Sequence, residues 1–254
     1  MPWVESSSAS FRARHDAADA ADAGRILRGL EQLRDQLAQL LPHTVDHELT
    51  VVMHSSNASL ALANPLLPLA WFATAPAARR YIAGWAADEE LHVLAPATLL
   101  RRASNVPGSR EMLDRAAAAL YVRRVIAENN RDLGERMTPA RIARQLRWAW
   151  LIEGGARWFG GQTEHARPAI ARRLHEGRRP TFPPSLRDAP LLGGTVIDLL
   201  AREQGVNAAA QFVCRLHPQG PRAALSKAFD GRALVHTEGA WRSHLARLAG
   251  DIRR

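Results

Sequence analysis

The chain carries ten histidines, and their spacing decides which of them could share a metal ion. Two histidines four residues apart on a helix point the same way and reach one zinc ion, and a glutamate beside the first can activate the zinc-bound water. His47-Glu48 begins such a pattern, but the fourth residue after His47 is Val51. The next histidine, His54, lies two helical turns on, about 10 Å along the axis, which is too far for two imidazoles on one ion. The run Glu48–His54 is also short and rich in β-branched residues, so it predicts a strand whose side chains alternate between faces. His165, His175, His217, His236 and His244 have no ligand spacing and read as solvated side chains. The single cysteine, Cys214, sits among Phe212, Val213 and Leu216 and reads as core. One cysteine excludes an internal disulfide and a cysteine-rich zinc site. No nucleophile-elbow serine motif, phosphate-binding loop or dinucleotide fingerprint is present.

A stronger candidate is Glu153, in the run Trp150-Leu151-Ile152-Glu153-Gly154-Gly155-Ala156. Thr138-Pro139 supplies an N-cap and a proline at the first helical position. The helix they open runs through Trp148 and Trp150 toward Phe159, with Trp148, Trp150 and Trp158 expected in the core.

The elements that would position these groups follow from periodicity. Residues 1–10 are Ser/Ala-rich and are expected to form a loose tail. Ile26, Leu27, Leu30, Leu33, Leu37, Leu40 and Leu41 recur at helical spacing over 17–41, and Pro42 ends that helix. Short strands are expected at 48–54, 81–86 and 90–94, and Ser55-Ser56-Asn57 starts a helix. Pro96 opens another short helix. Residues 110–128 read as one helix, and 178–190, rich in proline and polar residues, as a long surface connection. Helices are expected at 192–204, 206–216, 220–229 and 236–249. The fold class this predicts is α+β and mostly helical, with a small N-terminal sheet packed by helices. One domain is expected over 11–254, with the sheet in 11–108 and a helical part in 109–254.

Taken together, these runs resemble the gluzincin zinc metallopeptidases, in particular bacterial domains with the pattern W-L-x-E-G-x-A. The resemblance rests on Trp150–Ala156 and on its context: Val51-Val52, then Ala83-Gly84-Trp85, then His92-Val93-Leu94-Ala95-Pro96, then the helix 110–128. The tail adds Ala209–Val213, Ala228-Phe229, and Trp241 with Leu245. It covers about residues 25 to 250. It implies a zincin-like fold in which Glu153 is the third zinc ligand and helix 110–128 carries the His-Glu-x-x-His motif. That helix contains no histidine. In the best register the five motif positions hold Ala118, Ala119, Leu120, Tyr121 and Val122. Both imidazoles and the general base would then be missing. Without zinc the Glu153 carboxylate is expected to pair with an arginine such as Arg115 or Arg123, because a buried unpaired charge is costly.

Composition narrows the remaining classes. The net charge is +9 and Lys227 is the only lysine. The arginines are scattered in pairs such as Arg79-Arg80, Arg101-Arg102 and Arg178-Arg179, not gathered in one basic block, so nucleic-acid binding is disfavoured. No apolar run of about 18 residues predicts a membrane span, no secretory signal is expected, and the chain is expected to be cytoplasmic without membrane association. The leading expectation is a catalytically inactive metallopeptidase-like protein that holds no cofactor and accepts an extended peptide or protein. The alternatives are an active zinc peptidase with a non-standard site, drawing on Glu153 with His92 or His47, and a basic nucleic-acid-binding module.

Overall fold

Strand formation begins at Trp3. The computed structural model describes residues 3–130, 133 and 138–250. Within it Trp3–Ser7 is strand β1 and Phe11–Asp16 is strand β2, paired antiparallel with Trp3 opposite Asp16 and Ser7 opposite Arg12. This differs from the loose tail expected over 1–10, of which Met1 and Pro2 lie outside the described residues. The connecting turn is tied down from the next element. The Ser8 hydroxyl and the Ser10 amide both donate to Glu31 Oε1, at 2.7 and 2.6 Å.

Glu31 belongs to α1 (Ala20–Ala38), which buries Ala23, Leu27, Leu30 and Leu37. Its apolar stripe lies on the sheet. β3 (Leu49–His54), β4 (Gly84–Ala86) and β5 (Glu90–Leu94) complete that sheet, in the order β1-β2-β3-β5-β4. β2, β3 and β5 run parallel, and β1 and β4 flank them antiparallel. Parallel neighbours need long crossovers: α1 supplies one, and α2 (Asn57–Ala63), α3 (Leu67–Ala73) and α4 (Pro76–Arg79) lie in the other. Ser56 caps α2, its hydroxyl accepting from the Ser59 amide at 3.0 Å. Period-two alternation sorts the faces. Phe11, Ala13, Val51, Met53, Leu91 and Val93 enter the core. Arg12, Arg14, Thr50, Val52, Glu90 and His92 share the other face by register.

The helical remainder is α5 (Pro96–Arg102), α6 (Ser109–Asp114), α7 (Ala116–Glu128), α8 (Pro139–Phe159), α9 (Arg167–His175), α10 (Ala189–Gln204), α11 (Val206–Cys214), α12 (Pro221–Ala228) and α13 (Leu234–Gly250). The architecture is therefore α+β and mostly helical, with a small five-stranded mixed sheet. Two expectations change. The helix expected over 110–128 breaks at Arg115, whose φ of −87° and ψ of 8° leave helical geometry. On either side of the break, α6 packs on α5, whereas α7 packs on α8 and the sheet. The connection 178–190 does not lie wholly on the surface: Pro180, Pro184 and Asp188 are buried. Asp188 accepts from Arg173 Nε at 2.5 Å and from Nη2 at 2.9 Å, a bidentate pair that pins the segment to α9.

Candidate functional site

Glu153 sits about two-thirds of the way along α8, which packs against both α7 and α10. The glycines after it explain how close the helices come. A Cβ on Gly154 would collide with the Gly193 backbone of α10, and one on Gly155 would collide with Ile126 of α7 and Val213 of α11. The run Glu153-Gly154-Gly155 is thus a flat surface with one carboxylate at its edge.

That carboxylate is held by two guanidinium groups. Arg123 of α7 donates through Nη1 to Glu153 Oε1, and Arg157, one turn along α8, brings Nη2 to 3.8 Å from Oε2. The side chain of Arg157 is 8% exposed, against 41% for Arg123. Arg157 also donates to the Tyr81 carbonyl at 3.3 and 3.2 Å and to Gln162 Oε1 at 2.7 Å. Gln162 in turn donates to the Met112 carbonyl at 2.5 Å. Arg157 therefore ties α8 to the segment before β4 and, through Gln162, to α6. Burial pushes the Arg157 guanidinium below its ordinary pKa, and the facing Glu153 carboxylate works the other way.

The other residues expected around Glu153 are placed as follows. Ala119 lies against Gly160, where any Cβ would meet the Ala119 backbone. Val122 is fully buried in the core and Ala118 is half-buried. Arg115, at the break before α7, lies beside Gly161, and among the described residues no ion pair joins it to Glu153. Zinc does not fit this arrangement. The α7 positions offer hydrocarbon, and the one carboxylate already faces two fixed positive charges that would repel a divalent cation. Among the described residues no three His, Cys, Asp or Glu side chains are grouped so as to hold a metal ion.

His47 and Glu48 point to separate partners. His47 Nδ1 is 3.4 Å from Asp46 Oδ1 and Nε2 is 3.3 Å from the Asp88 carbonyl, while Glu48 pairs with Arg12 at 3.1 Å.

A second cluster lies on the outer sheet face and escapes a reading of spacing along the chain. The parallel register of β3 and β5 puts Val52 beside His92 and His54 beside Leu94, which brings the two imidazoles together. His54 Nε2 is 2.9 Å from His92 Nδ1, and His92 Nε2 is 3.0 Å from Glu90 Oε2. A carboxylate only accepts. His92 therefore donates from Nε2 to Glu90 and accepts at Nδ1 from His54 Nε2. This leaves the buried His54 Nδ1 as an acceptor without a partner. Trp85 stacks on His92 at 4.1 Å between ring centres, and Trp3 stands edge-on to His54 at 6.5 Å. Arg14 donates to Glu90 Oε1 at 3.3 Å. An open cleft of about 520 Å³ lies among Trp3, Glu5, Arg14, Val52, Glu90 and His92. Burial pushes His54 down to about 4, and the neighbouring His92 adds to the shift. His92 is lowered by burial as well, with Glu90 opposing.

A third group joins α8, α10 and α13. His244, expected in solvent, is buried and its Nε2 lies 2.8 Å from Asp198 Oδ2. Burial alone would raise the Asp198 pKa, but hydrogen bonds from His244, Trp158 and Arg202 hold it at about 2. Comparison of the chain with protein-family models, curated proteins and solved structures gives no match.

Proposed function

We propose that the chain is a metallopeptidase-like protein of zincin-like layout that does not hydrolyse peptides and that binds an extended peptide or protein segment. One observation carries the reading: Glu153, the residue that the resemblance makes a zinc ligand, is neutralised by Arg123, which extends from α7. The α7 positions where the resemblance expects ligands and a base hold Ala118, Ala119 and Val122. Such a donor set offers neither a Lewis acid for a peptide carbonyl nor an activated water. The binding half of the proposal is supported by the open cleft lined by Trp3 and His92, with the Trp85 ring stacked on His92.

The test is a paired measurement on mixed unstructured peptides, with mass spectrometry for cleavage and tryptophan fluorescence for binding. Peptides should stay intact with and without added zinc, and binding should shift the tryptophan emission, to which Trp3 at the cleft contributes. Cleavage that disappears in Glu153→Gln would contradict the proposal.

A further inference from the structure

Residues 55–78 contain neither a charged side chain nor a histidine. They span α2, α3 and most of α4, and they leave large apolar groups in water. Leu62 is 82% exposed and Phe72 83%, with Leu66 and Leu69 also exposed. Leu66, Leu69 and Phe72 recur every third residue, so they share one side of α3. The other side is packed down: Leu67 is buried, and Trp71 is half-buried with its Nε1 donating to the Ile82 carbonyl at 2.9 Å. A helix that is apolar all round belongs inside a core or in contact with lipid, yet α3 meets the protein along one side only.

The border of this face is basic. Arg102 stacks over the Trp71 ring at 5.3 Å and donates to the Arg79, Arg80 and Ile82 carbonyls and to Asn57 Oδ1. Arg80 donates to the Arg102 carbonyl, Arg79 to the Thr74 carbonyl and Arg101 to Thr98 Oγ1. All these acceptors are neutral oxygens, and among the described residues none of the four arginines meets a carboxylate.

We propose that α2 and α3 form a docking face for an anionic lipid surface. Leu62, Leu66, Leu69 and Phe72 enter the boundary between headgroups and acyl chains, and Arg79, Arg80 and Arg101 meet lipid phosphates. Charge complementarity selects this occupant. A second copy docked through the same face would bring its own arginines to the rim and add no acid from residues 55–78. A folded partner is held by roughly one hydrogen bond per 100–200 Å², and the outer side of α3 offers no polar side chain to make one. Each helix has 7 residues, and no helix among the described residues is long and apolar enough to cross a membrane, so the element lies on the surface. This face runs against the expectation of no membrane association, which rests on the lack of a spanning segment.

Co-sedimentation of the full chain with vesicles tests the proposal, using phosphatidylcholine alone and phosphatidylcholine with phosphatidylserine. Binding is expected on the anionic vesicles only. The double variant Leu69→Ser/Phe72→Ser should lose roughly tenfold or more in affinity. Each of Arg79→Gln and Arg101→Gln should lose about fivefold. All variants should keep the wild-type Tm, since the replaced groups are exposed or bound to neutral oxygens. Undiminished binding by the Leu69/Phe72 variant would overturn the proposal. So would failure of the wild type to bind, whether it stays monomeric or forms a dimer that Phe72→Ser dissolves.

Discussion

Glu153 stands between two arginines of unequal burial, and that inequality sets what each contributes. Arg157 is nearly enclosed with Glu153 as its counter-charge, whereas Arg123 keeps much of its side chain in water. Glu153→Ala should therefore lower stability by about 2–4 kcal/mol, because it leaves Arg157 buried without a counter-charge. Arg123→Ala should cost under about 1 kcal/mol, as for an exposed pair. Urea unfolding of the two variants checks the order, and equal losses would contradict it. The outer sheet face makes a separate prediction. His54 is held neutral by burial, with its pKa near 4 instead of the ordinary 6.5. The unfolded chain then binds more protons than the folded one between those values. The stabilising contribution is complete above about pH 6.5 and is lost as the pH falls toward about 4. His54→Gln should flatten the fall of Tm across that window, and an unchanged slope would count against the assignment. The pairing of Glu153 with Arg123 is legible in the sequence because a carboxylate shielded from water needs a counter-charge. The His54–His92 contact is not, because it depends on a strand register that joins residues 38 positions apart.

At the scale of elements, the α8–α10 crossing is the most extensive helix contact, and it depends on the absence of side chains. Helix propensity favours alanine over glycine by about 1 kcal/mol. At Gly154 the added methyl would strike the Gly193 backbone, and overpacking of this kind typically costs about 1–3 kcal/mol. Because the obstacle is backbone, the upper end should apply, and Gly154→Ala is expected to destabilise. Gly239, in α13, has nothing within 4 Å of an added Cβ, so Gly239→Ala should stabilise by about 0.5–1 kcal/mol. Thermal unfolding of both variants tests the pair, and the same sign for both would refute the packing account. Elements with strong local periodicity are legible in the sequence: α1 from its leucine spacing, β3 from its β-branched run, α8 from its proline start. β1 is not, because Trp3–Ser7 acquires order from pairing with β2 and from Glu31 holding the turn. Nor is the break at Arg115, since no residue from 110 to 120 ends a helix by itself. Packing of α6 and α7 on different neighbours makes it.

Across the whole molecule the α+β class is legible from the early β-branched runs and the helical periods that follow them. The strand order is not, since parallel pairing joins segments separated by entire helices. Several arginines are matched locally by acids one helical turn away, such as Arg110 with Asp114, Arg172 with Glu176 and Arg242 with Glu238, and the net charge of +9 comes from those without such a partner. Arg79, Arg80, Arg101 and Arg102 beside α3 meet only neutral oxygens among the described residues, and there the proposed lipid surface docks. The outer sheet face, the α2–α3 face and the Glu153 station are separate features, and at the last a carboxylate that the resemblance assigns to zinc faces two arginines. The measurement that decides between zinc and the arginines is the metal content of the purified chain, equilibrated with zinc and then desalted. Far less than one zinc per chain is expected, unchanged in Glu153→Gln. About one zinc per chain, lost in Glu153→Gln, would contradict it.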